Sequence, residues 1–103
     1  MYSDDWLAKG WASDPPTRLH DAVDYRFWRD EQGDVIGLGV DFEWSGDVHY
    51  EIAGRALLKL LKVLGVGDGE DVRGPLSDVT HFSLDLEDLL RGNDIPFMKD
   101  SYR

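Results

Sequence analysis

Asp41 and Glu43 lie one residue apart in an alternating stretch, and two neighbouring carboxylates are the least that acid–base chemistry needs. Such chemistry also requires surroundings that drive the two pKa values apart, usually a cleft with burial, which an open strand face does not offer. His20, His49 and His81 are isolated from one another, without His-x-x-x-His spacing, and the chain has no cysteine, so no metal site is expected. Asp68-Gly69-Glu70-Asp71 is acidic but lacks the alternating oxygen ligands and closing Glu of a calcium loop. Gly65-x-Gly67-x-Gly69 follows a helical pattern, whereas a phosphate cradle leads from a strand into a helix. Ser45, Ser77 and Ser83 sit in no Gly-x-Ser-x-Gly elbow. No catalytic residue and no cofactor is expected, and the chain does not read as an enzyme.

The more informative constellation is a set of polar positions on alternating segments. Val23, Tyr25 and Phe27 fall on one side of a first segment, with Asp24, Arg26, Trp28 and Asp30 on the other. Ile36, Leu38, Val40, Phe42 and Trp44 alternate with Gly37, Gly39, Asp41 and Glu43, and Val48, Tyr50 and Ile52 alternate with Asp47, His49 and Glu51. Period-two alternation is the pattern of half-buried strands. From Asp30 to Gly54 there are seven acids and no Lys or Arg, although a solvated strand face ordinarily mixes both signs. Asp24, Trp28, Asp30, Asp41, Glu43, Asp47, His49 and Glu51 are therefore the expected partner-binding residues. Trp28 would be the apolar anchor over the space left by Gly37 and Gly39.

The elements that would position them follow from spacing. Ser3 can cap a first helix through Lys9, and Ser13-Asp14-Pro15-Pro16-Thr17 reads as a connection. Glu31-Gln32-Gly33 and Ser45-Gly46-Asp47 read as turns joining three strands into an antiparallel meander. Ala56, Leu57, Leu60, Leu61 and Leu64 recur at helical spacing before Gly65. Val66 to Pro75 reads as a loop and Val79 to Leu84 as a possible strand. Asp85 is placed to cap a helix ending at Gly92, and Ile95-Pro96-Phe97-Met98 reads as a terminal edge strand. The expectation is one α+β domain over residues 1–103: a mostly antiparallel sheet, the meander plus one or two C-terminal strands, with two or three helices packed on one face and the other face open to water.

Twenty-one acidic against 11 basic residues give a formal charge of -10, a field that repels nucleic acid and anionic membrane and attracts cationic surfaces. No apolar run reaches the ~18 residues of a membrane span, the first residues form no secretory leader, and the absence of cysteine fits the cytoplasm. In general character the size, acidity and lack of catalytic motif resemble bacterial inhibitory proteins. The expected function is to bind and block a basic protein, the favoured version being the immunity protein, or antitoxin, of a nuclease-like toxin. A phage-type inhibitor such as an anti-CRISPR protein, mimicking nucleic-acid charge, is the first alternative. A small enzyme or ligand-binding domain with an enclosed pocket lined by Tyr25, Trp44 or Tyr50 is the second.

Overall fold

The computed structural model describes residues 10–43, 48–67 and 71–101. The expected first helix, Trp44 and the Ser45-Gly46-Asp47 turn lie outside the described residues. Strands β1 (Ala12–Ser13), β2 (Thr17–His20), β3 (Val23–Arg29), β4 (Val35–Phe42) and β5 (Val48–Ala53) are followed by helices α1 (Arg55–Leu64), α2 (Arg73–Asp78) and α3 (Ser83–Gly92) and by strand β6 (Met98–Ser101). The class is α+β.

The meander forms as the alternation dictates. Val23 pairs with Phe42 and Trp28 with Gly37 across β3 and β4, and Leu38 pairs with Ile52 and Asp41 with His49 across β4 and β5. Asp30 sets the first turn, its Oδ1 accepting the amides of Gln32 and Asp34 at 2.9 and 3.0 Å. One sheet face is apolar: Val23, Leu38, Val40, Phe42, Val48, Tyr50 and Ile52 pack with Leu57, Leu60 and Leu61 of α1, Leu76 of α2, and Leu86 and Leu90 of α3. Full burial of each such side chain contributes roughly 1.5–3 kcal/mol. Tyr50 is wholly buried in the core and packs on Phe42 and Phe97, and the partly buried Tyr25 lies against Phe27.

Five local expectations change. Both sides of the Pro15-Pro16 pair form short strands: β1 and β2 lie along the outer side of β3, with Ser13 opposite Trp28 and Arg18 opposite Asp24. Residues 73–78, beginning inside the expected loop and running three residues past its end at Pro75, form α2. Pro75 is tolerated there because the amides of a helix's first turn have no intrahelical acceptor. Residues 79–84 are not a strand. Thr80 Oγ1 donates to the Leu76 carbonyl at 2.7 Å, ending α2, and accepts from His20 Nε2 at 2.9 Å. α3 then begins at Ser83, two residues before Asp85, whose carboxylate folds back to accept the Phe82 amide at 3.2 Å. The terminal strand is displaced to Met98–Ser101, at the β5 edge of the sheet. Proline cannot donate to a ladder, so Pro96 stays outside it while Ile95 is buried in the core.

Candidate functional site

The second face of the sheet carries Asp24, Arg26 and Trp28 from β3, Gly37, Gly39 and Asp41 from β4, and His49 and Glu51 from β5, with Met98 and Asp100 of β6 opposite Glu51 and His49. The structure corrects the expectation that this face lies open. Trp28 is 2% exposed, Glu51 2% and His49 5%. Trp28 Nε1 donates to both oxygens of Glu51, at 3.1 and 2.9 Å. His49 Nδ1 bonds to Asp41 Oδ1, and His49 Nε2 lies 3.3 Å from Glu51 Oε2. The Arg26 guanidinium stands 5.7 Å from the centre of the Trp28 ring.

Burial alone would lower the pKa of His49. The carboxylates of Asp41 and Glu51, through contact and charge, outweigh it and raise that pKa to about 9. At neutral pH the ring is an imidazolium clamped by two carboxylates, with no lone pair to accept a proton. Its role in this arrangement is to set a positive charge against Glu51, which is buried, and Asp41, which is partly exposed.

Gly39 makes the arrangement possible, because a Cβ there would meet Glu51 Oε1 and would lie 3.3 Å from Arg26 Cγ and Nε. Gly39→Ala should therefore lower the unfolding free energy by about 1–3 kcal/mol in urea titrations. Gly67→Ala, where a Cβ meets nothing within 4 Å, should stay near wild type; equal losses at both sites would refute the steric account.

The other expected contact residues are dispersed. Asp24 and Glu43 both pair with Arg18 of β2, at 3.0 and 3.5 Å, and only Glu43 is well exposed. Asp30 is engaged in its turn, some distance along β3 from Arg18. Asp47 lies outside the described residues. Trp28, Asp41, His49 and Glu51 are thus brought together, but as an internally bonded cluster in which one imidazolium faces two carboxylates. Trp28 is a core residue and not an exposed anchor.

Uncompensated acid is found instead on the helical layer. Between Arg73 and Arg91 the chain has Asp78, Asp85, Glu87 and Asp88 and no Lys or Arg. Glu87 is neutralised: Lys99 Nζ donates to it at 2.7 Å, Tyr50 Oη at 2.9 Å and Arg91 Nε at 3.2 Å. Led by the Lys99 contact and opposed by burial, these hold the Glu87 pKa at about 2. Burial and the same carboxylate push the Tyr50 hydroxyl up. Asp78, Asp85 and Asp88 are exposed and form no ion pair among the described residues. Phe82 is 57% and Leu84 63% exposed. Asp85 touches the Phe82 amide, and Leu84 and Asp88 are one turn apart on the outer side of α3. Sequence reasoning missed this patch because a strand over 79–84 would alternate Phe82 and Leu84 with polar neighbours. The usable signal was helical: Leu86 and Leu90 define the buried stripe, and Leu84 and Asp88 lie off it.

Among the described residues no helix is long and apolar enough to cross a membrane and no cluster of His, Asp and Glu is arranged to hold a metal ion. No protein-family model, curated protein or solved structure matches the chain.

Proposed function

We propose that the chain is a small acidic binding protein that blocks a basic partner protein, in the manner of a cytoplasmic immunity protein neutralising a nuclease-like toxin. Its contact surface in this reading is the α2–α3 patch and not the meander face. The observation that supports it is the exposed pair Phe82 and Leu84 with exposed Asp85 and Asp88 following them in α3 and exposed Asp78 ending α2, in a stretch with no Lys or Arg between Arg73 and Arg91. Uncompensated acids accelerate encounter with a cationic surface, and apolar side chains at the centre of such a patch slow dissociation. A toxin that cleaves nucleic acid presents a basic cleft, the surface this arrangement complements.

The test compares immobilised wild type with Asp78→Lys/Asp88→Lys and with Glu43→Lys, exposed to lysate of the source cell at low salt. Wild type and Glu43→Lys should retain one basic protein that the double variant loses. The association rate of the isolated pair should fall at least about tenfold on reversal, with the difference shrinking near 1 M salt. Retention of the same protein by all three forms would refute the α2–α3 assignment, and loss on Glu43→Lys alone would return the interface to the meander.

A further inference from the structure

Where β5 runs into α1, a cleft of about 310 Å³ opens between the chain leading into β1 and the chain leading into β6. Trp11, Phe97 and Met98 line it together with Ala53 and Ala56, and Glu51 is the sole charged residue among the described residues that line it. Small-molecule sites combine mostly apolar walls with a few placed polar groups, and this volume is at the small end of their range. The wall is aromatic and aliphatic, and the charge is a carboxylate that is almost entirely withdrawn from water.

The hydrogen-bonding state of that carboxylate restricts what it can hold. Both Glu51 oxygens already accept from Trp28 Nε1, and Oε2 also faces the His49 imidazolium. A ligand that relied on N–H donors would compete with these groups for lone pairs. A cation without donors would use the negative potential and leave the bonds in place. Trp11 supplies the ring type that most favours contact with such a cation. We infer that the cleft binds a quaternary ammonium head group, the methylated cation resting on Trp11 and Met98 with its charge directed to Glu51. This inference is independent of the proposed inhibitory role, and concerns a different part of the molecule.

The test is an NMR titration of the whole protein, at matched ionic strength, with choline, with its neutral carbon isostere 3,3-dimethylbutanol, and with ethanolamine. Choline should give saturable shifts at Ala53, Ala56 and Met98, with affinity about tenfold above that of the neutral isostere and above that of ethanolamine. Ala53→Leu, which narrows the cleft without touching the carboxylate, should abolish them. Glu51→Gln should reduce choline to the level of the isostere; because that change also disturbs the buried cluster, Ala53→Leu and the ligand series carry the decision if the variant does not fold. Equal affinity for choline and the isostere, tighter binding of ethanolamine, absence of saturable shifts, or shifts that persist in Ala53→Leu would each overturn the inference.

Discussion

A His49→Leu variant should lose about 3–5 kcal/mol of unfolding free energy, the loss usual when one member of a buried ion pair is removed and its partner is left behind. Two carboxylates depend on this ring: Asp41 through Nδ1, and Glu51 through Nε2 at 3.3 Å. Glu51 is 2% exposed, so it cannot recover its hydration without opening the sheet face. Set against a total stability of about 5–15 kcal/mol for a domain of ordinary size, the loss is large. At roughly 4–8 °C per kcal/mol, it should appear as a fall of at least about 12 °C in melting temperature. Asp41→Asn/His49→Leu/Glu51→Gln, which removes the charges together, should recover part of the loss. A single variant within about 1 kcal/mol of wild type, or a triple variant less stable than the single one, would show that the imidazolium does not hold the carboxylates in place.

The second large effect is on pH dependence. His49 has an ordinary pKa of 6.5 in the unfolded chain and about 9 in the folded one, so the folded state binds the proton more tightly. The resulting stabilisation is complete below about pH 6.5, declines as pH rises, and is lost above about pH 9. A tenfold difference in proton affinity between the two states corresponds to about 1.4 kcal/mol, so the loss across this window is on the order of 3 kcal/mol. The charged groups around the ring are Asp41 on β4, Glu51 on β5, Asp100 opposite it on β6 and Arg26 on β3. Urea denaturation from about pH 6 to 9.5 should show this decline in wild type and a flatter profile in His49→Leu. Constant or rising wild-type stability across the window would contradict the proposed linkage.

How far the sequence specifies these features depends on whether their cause is local. Val23, Leu38, Tyr50 and Ile52 could be assigned to one face because strand alternation is a property of neighbouring residues. Gly65 could be read as the end of α1, where it adopts φ +76. β1 and β2 could not be read, since two- and four-residue strands beside a Pro-Pro pair exist only because β3 offers a free side to pair with. The start of α3 was obscured because Asp85 caps from its third position instead of from the boundary. The second sheet face shows the limit most clearly. Alternation places Trp28, His49 and Glu51 on the same side but carries no information on whether that side is covered. Arg18 pairs with both Asp24 and Glu43 from a strand whose position is set by tertiary contacts. The exposed pair on α3 became legible only after the Leu86 and Leu90 stripe fixed the orientation of the helix.

The divided flank of β3 also bears on how the molecule meets others. Along that flank the backbone runs in segments of two and four residues, separated by Asp14 and two prolines, and β6 on the opposite flank contributes four residues. An incoming extended chain therefore finds few successive amides to zip against, which disfavours the edge-on growth that leads to fibrils. Neighbours must engage this protein through its side chains, and a crowded, highly charged solution of it should remain dispersed.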